Sequence, residues 1–268
     1  MFNSIQTLFM KKTALGFVLL ALIFNFTGVQ KSVAQANMFN KEKFTDHNGA
    51  VLNYRFLSPD YNTMRKYPLV IFLHGSGERG DNNEAQLTWG ITNMATDRMR
   101  SMFPAFIVAP QCPLDESWAN IDVDRETNEL KLLDKPTPVM EQVIELVHEI
   151  MKKHPVDPDR IYITGRSMGG FGTFDALMRW PDLFAAAVPV CGGGDPSKAK
   201  SIAHIPMWVF HGAEDTGVDT QLSFKMVQAL MEAGAHPGYT QYPEVGHFSW
   251  LQAYTDPLMY EWLFRQRK

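Results

Sequence analysis

The chain has 268 residues, of which 45% are hydrophobic and 20% charged, a mix that buries a sizeable core and excludes a disordered chain. Its formal net charge of −4 suits the phosphate backbone poorly and excludes nucleic acid as the natural partner. Two cysteines, Cys112 and Cys191, are too few for a disulfide scaffold and lack zinc-ligand spacing.

At the N-terminus, Met10-Lys11-Lys12 gives a basic start, Ala14 to Phe24 an apolar run, and Ala34-Gln35-Ala36 a small-residue site. That order is the pattern of a secretory signal peptide, and the apolar run is short for a bilayer span. The expected organisation is therefore a signal peptide over residues 1–36 and one domain over 37–268, secreted or periplasmic after cleavage near Ala36, with no stable membrane anchor. Losing Lys11, Lys12 and Lys31 leaves 22 basic against 29 acidic residues, a net charge of −7.

Beyond the signal, Lys43 to Thr45 and Val51 to Phe56 flank Asp46-His47-Asn48-Gly49, whose Asn-Gly predicts a hairpin. Apolar strand candidates follow at Tyr67 to Leu73, Phe103 to Val108, Arg160 to Thr164, Phe184 to Val190, Pro206 to Phe210 and Tyr239 to Tyr242. Between or after them lie helical patterns at Val139 to Lys153, Gly169 to Arg179, Asp219 to Ala233 and Leu251 to Phe264. The alternation predicts an α/β domain: eight strands, mostly parallel, with helices on both faces. Leu114 to Pro136, polar and acidic around Trp118, reads as a long irregular loop of the kind that borders binding sites. Cys112 and Cys191 fall at the ends of non-adjacent strands, which favours buried free thiols over a bridge.

Gly165-Arg166-Ser167-Met168-Gly169 matches G-x-S-x-G between a strand and a helix. A tight turn there exposes the serine, and the glycines let backbone approach where a β-carbon would collide. A serine hydroxyl is a weak nucleophile, so the motif calls for a base and an orienting acid, in the chain order Ser, Asp or Glu, His. Asp215 follows the strand Pro206 to Phe210, and His247 follows the last strand; these are the candidate acid and base beside the nucleophile Ser167. Glu214 is the alternative acid. His74 and His211 read as structural residues at strand ends. Two N–H donors must meet the oxyanion: Met168, after the nucleophile, and Ser76 in the loop after the third strand, with Gly75 as its alternative. Glu78 and Arg79 are candidates to hold that loop by pairing.

Together, LHGSGERGDN (Leu73 to Asn82), APQCP (Ala109 to Pro113), GRSMGG (Gly165 to Gly170), CGGGD (Cys191 to Asp195), HGAEDTGV (His211 to Val218) and GHFSW (Gly246 to Trp250) resemble the secreted esterase branch of the α/β-hydrolases. That branch holds phospholipase/carboxylesterase-like proteins, feruloyl and acetyl-xylan esterases and polyhydroxybutyrate depolymerase-like proteins. The resemblance implies an α/β-hydrolase fold, without a large cap domain in this sequence, and a serine esterase that needs no cofactor and no metal. Its partner would be an ester substrate, polysaccharide-borne or otherwise bulky. Trp118 and Gln111 are the candidate substrate-binding residues, whereas Trp250 reads as core packing near His247. A prolyl oligopeptidase-like peptidase and an inactive binding protein on the same fold are the alternatives.

Overall fold

The computed structural model describes residues 34–60, 62–124, 127 and 129–268. The chain divides into two units, residues 1–38 and 39–268, and the second holds the sheet and its helices. Most of the expected signal peptide lies outside the described residues. Among the described residues no helix is long and apolar enough to cross a membrane.

Among the described residues ten strands form: β1 (Asn40–Thr45), β2 (Val51–Leu57), β3 (Tyr67–Leu73), β4 (Phe106–Pro110), β5 (Ile121–Asp124), β6 (Glu129–Leu132), β7 (Val156–Arg166), β8 (Ala186–Val190), β9 (Trp208–Gly212) and β10 (Gly238–Tyr242). Eight of them make one sheet in the order β1-β2-β4-β3-β7-β8-β9-β10. The two pairings at the β1 end are antiparallel, joining β1 to β2 and β2 to β4; the remaining neighbours are parallel. With helices on both faces, this is the α/β-hydrolase sheet.

The alternation along β3 shows how the layers are made. Leu69, Ile71 and Leu73 turn to one face, where they join a buried cluster with helices α2 (Pro138–Lys153), α3 (Met168–Arg179) and α5 (Thr220–Glu232). Phe72 turns to the other and meets the ring of Tyr254 at 5.6 Å. On that second face Tyr162 of β7 meets Phe264 at 5.6 Å. Every residue of β3 is buried, as a central parallel strand covered on both sides requires. Each fully buried aliphatic side chain there contributes about 1.5–3 kcal/mol.

Several expectations shift: the strand expected over Arg160 to Thr164 extends to Val156–Arg166, and those expected from Phe184 and Pro206 begin at Ala186 and Trp208. The fourth strand begins at Phe106 rather than Phe103, because Phe103 ends a short helix α1 (Asp97–Met102) and Pro104 follows it. The helix expected over Leu251 to Phe264 is two, α6 (Trp250–Ala253) and α7 (Pro257–Leu263), where Asp256 caps the second by accepting from the Leu258 N–H at 2.9 Å. Proline has no N–H to continue a helix and is well suited to start one. The long segment around Trp118 is not irregular throughout: β5 and β6 pair as an antiparallel two-stranded sheet, and the Ile-Asp-Val-Asp and Glu-Leu-Lys-Leu alternation carried that signal. A last short helix, α4 (Ala199–Ile202), lies between β8 and β9.

Candidate active site

Four connections at the carboxyl edge of the parallel strands supply the site, the edge where open α/β sheets place their ligands. Ser167 directly follows β7 and precedes α3 with φ +54 and ψ −119, a backbone region that side-chain-bearing residues rarely occupy. The strain is held by the surroundings. The Ser167 N–H donates to the Val190 carbonyl at 3.0 Å, and a β-carbon on Gly169 would collide with the carbonyl of Leu73. The G-x-S-x-G spacing is thus a packing requirement of this turn.

The Ser167 hydroxyl lies 3.0 Å from His247 Nε2, and His247 Nδ1 lies 2.8 Å from Asp215 Oδ2. An ionised carboxylate only accepts, so the ring proton sits on Nδ1 and leaves Nε2 free to accept from the serine. Burial works to raise the Asp215 carboxyl, but the Val218 N–H, the His247 ring and the Gly217 N–H outweigh it and hold the group below the ordinary carboxylate range. Both amides reach Asp215 Oδ1 at 2.8 Å. Glu214, the alternative acid, is exposed and lies apart from the imidazole contact.

A second imidazole also touches Asp215. His211 is fully buried, with Nε2 3.2 Å from Asp215 Oδ2 and 3.1 Å from the Val218 carbonyl, and Nδ1 2.8 Å from Ser223 Oγ. Burial lowers its proton affinity. His74 is buried likewise, and burial followed by the charges of Arg166 and Arg79 takes it down to about 4. It donates from Nδ1 to the Gly75 carbonyl at 2.6 Å and accepts the Cys112 N–H at Nε2, 2.9 Å away. Both histidines are structural, as their places at strand ends suggested.

Ser76 opens a short 3-10 turn after β3 and Met168 opens α3. As first residues, neither has an acceptor for its N–H within its own turn. The loop carrying Ser76 is fastened by a residue that the motif alone does not single out. Glu78 pairs not with Arg79 but with Arg166, Nη2 to Oε2 at 2.5 Å, and both are buried. The Arg166 guanidinium carbon stands 4.4 Å over the ring of Trp250, which meets the His247 ring edge-on at 5.1 Å. One side chain therefore touches the loop of Ser76, the turn of Ser167 and the loop of His247. Nothing in the local sequence links Arg166 to Glu78, because only the sheet brings them together.

Two expected substrate-binding residues are corrected by their surroundings. Trp118 is 0% exposed; its Nε1 donates to the His74 carbonyl at 2.9 Å and its side chain packs on Gly172. Gln111 is 1% exposed, and its amide is saturated by the Asn83 N–H, the Glu78 carbonyl and Asn82 Oδ1. Both hold loops from beneath and have no face to offer a ligand. Trp250, 3% exposed, packs beside His247 as expected.

Cys112 and Cys191 are buried free thiols. Cys191, Asp215 and His247 offer donor atoms within 4.8 Å of one another. Burial pushes the Cys191 thiol up to about 12, and the Asp215 carboxylate and the His247 ring are bonded to each other.

A family model described as Phospholipase/Carboxylesterase matches residues 62–257. The chain is 25% identical over 206 residues to a probable carboxylesterase of Oryza sativa subsp. japonica, covering 68% of this chain and 81% of that protein. It is 28% identical over 154 residues to a bifunctional acetylxylan esterase/xylanase of Neocallimastix patriciarum, covering 58% of this chain and 20% of that one. Among solved structures, a thermostable esterase superposes with a TM-score of 0.81 at 40% identity, over 88% of this chain and 64% of that one. The chain thus spans less than two thirds of the esterase and a fifth of the bifunctional enzyme. With a family match across most of its length, on the sheet order and strand-edge geometry just described, the chain belongs to the phospholipase/carboxylesterase family of α/β-hydrolases.

Proposed function

We propose that this chain is an exported serine esterase that cleaves carboxylic esters through an acyl-enzyme on Ser167. The observation that carries the reading is the pair of contacts on His247, 3.0 Å to the Ser167 hydroxyl and 2.8 Å to Asp215. In the forward step the Ser167 oxygen bonds to the acyl carbon as its proton passes to His247 Nε2. The N–H groups of Met168 and Ser76 meet the oxyanion that forms, a contact typically worth about 10²–10³ in rate per donor. Collapse breaks the acyl–oxygen bond of the ester, and His247 returns its proton to the departing alcohol. Water then attacks the acyl-serine with the same imidazole as base, which releases the acid and restores Ser167.

The likeness to an acetylxylan esterase/xylanase supports an ester borne on a plant polysaccharide, acetyl or feruloyl. The basic start, apolar run and Ala34-Gln35-Ala36 site support export. The test is hydrolysis of short p-nitrophenyl esters, acetylated xylan and feruloyl esters by wild type and Ser167→Ala. The reading predicts loss of nearly all turnover in the variant, and retention of more than a few per cent would remove it. Turnover of peptide anilides in preference to esters would replace it with a peptidase. An intact mass beginning near Asn37 in the exported fraction tests cleavage, and a mass that keeps residues 1–36 would refute it.

A further inference from the structure

Exposed apolar side chains are ordinary when scattered, but a cluster at a reactive group marks a contact surface. Trp89, Phe248 and Leu251 are 36%, 53% and 46% exposed. The rings of Trp89 and Phe248 meet edge-to-face with centroids 6.1 Å apart. Phe248 leans on Trp250 at 4.8 Å, and Trp250 abuts His247 at 5.1 Å. A continuous aromatic path therefore runs from the imidazole to the surface.

Its outer end is held in place. Gly90, next to Trp89, has φ +85, and a β-carbon there would press into the ring of Tyr254. Asn93 Nδ2 donates to the Tyr254 carbonyl at 3.0 Å. The segment that bears Trp89 is thus fixed to the one that follows His247, and an aromatic face ordered in advance loses little entropy on binding.

The direction of proton return decides which half of an ester meets this path. His247 Nε2 must lie within hydrogen-bond reach of the departing oxygen, so the alcohol extends from the imidazole, while the acyl carbon sits on Ser167. We infer that Trp89 and Phe248 form the alcohol subsite, and that it takes an alcohol with a flat apolar face, an aryl ring or the C–H face of a pyranose, in preference to a short alkyl alcohol. The inference rests on the esterase reading above. A net charge of −4 works against an anionic membrane surface as the occupant.

The test compares kcat/KM for benzyl acetate, acetylated methyl xylopyranoside, ethyl acetate and benzyl butyrate. The proteins are wild type, Trp89→Leu, Phe248→Leu, their double variant and Ser167→Ala. Leucine keeps apolar volume and removes the ring face, and each single variant stands as a test if the double does not fold. In the double variant the benzyl-to-ethyl ratio is expected to fall about tenfold, as loss of two aromatic contacts implies, with the acetyl-to-butyryl ratio held at its wild-type value. A parallel fall for the xyloside supports recognition of the pyranose face, and a fall for benzyl alone supports an aryl alcohol. Unchanged alcohol ratios, or a change confined to the acyl ratio, would overturn the subsite. So would loss of binding to phosphatidylcholine vesicles with the ratios intact. Residual turnover by Ser167→Ala would instead remove the esterase reading, a result separate from the ratios.

Discussion

The loop after β3 and the loop after β10 each bring one part of the candidate site, and they are fastened by different means. Residues 74–80 are held by directional bonds: His74 to the Cys112 N–H, Glu78 to Arg166, the Glu78 carbonyl to Gln111, and the Gly80 N–H to the Cys112 carbonyl. Residues 244–251 lean on packing of Trp250 beneath the guanidinium of Arg166 and against His247, with bonds from the Glu214 N–H to the Val245 carbonyl, from the Cys191 thiol to the His247 carbonyl and between His247 and Asp215. The loop of Ser76, the proposed oxyanion donor, would gain from bonds that set an angle. The loop that carries the imidazole rests on ring contacts, while Asp215 fixes the ring through Nδ1 and leaves Nε2 facing Ser167.

The largest expected effect strikes the group that orients that imidazole. Asp215→Asn should lower kcat about 10⁴-fold with a small change in KM, because the amide favours the wrong ring tautomer; a loss under tenfold in steady-state kinetics would deny Asp215 its role. Next comes the polar fastening. Arg166→Met leaves the Glu78 carboxylate buried without its partner and should cost about 3–5 kcal/mol in urea unfolding, most of it recovered in Arg166→Met/Glu78→Gln. A single variant as stable as wild type would mean that the loop of Ser76 is held by something else. The apolar fastening should prove softer. Trp250→Leu removes ring volume but keeps a hydrophobic filler, for an expected cost of about 1–3 kcal/mol and a larger fall in kcat than in 1/KM, since His247 loses its wall. Constants of the folded protein left unchanged would argue that Trp250 serves stability alone.

A further effect concerns pH. His74 binds its proton less tightly folded, at about 4, than at the ordinary 6.5. The unfolded chain therefore takes up that proton first as pH falls, and stability declines across the window from about 6.5 to about 4, with no contribution to the slope above it. Asp215, also lowered, adds to the loss as pH falls further through the carboxylate range. Thermal melts should show a steady Tm near neutrality and a fall below pH 6.5, shallower in His74→Asn. An unchanged slope in that variant would show that His74 takes no part.

Short-range rules account for the legible part of the fold and site. The Asn-Gly turn, the fully apolar β3 and the strand–Ser–helix motif each carry their reason within a few residues, and chain order then pointed to Asp215 and His247, which the structure brings to Ser167. Trp118 and Gln111 show the limit. Both follow β4, but which face a side chain turns is set by partners such as the His74 carbonyl and the Asn83 N–H, which no local pattern names. Arg166 escapes a local reading for the same reason, and Trp89 because its neighbour Phe248 is distant along the chain. The β5–β6 hairpin had a readable alternation, masked by the acidic composition around it.

Labelling with a fluorophosphonate probe, followed by peptide mass mapping, addresses the nucleophile most directly. The geometry predicts one adduct, on the peptide that contains Ser167, absent in Ser167→Ala and slowed by orders of magnitude in His247→Ala. An adduct on another serine, or folded wild-type protein that stays unmodified, would contradict Ser167 as the nucleophile.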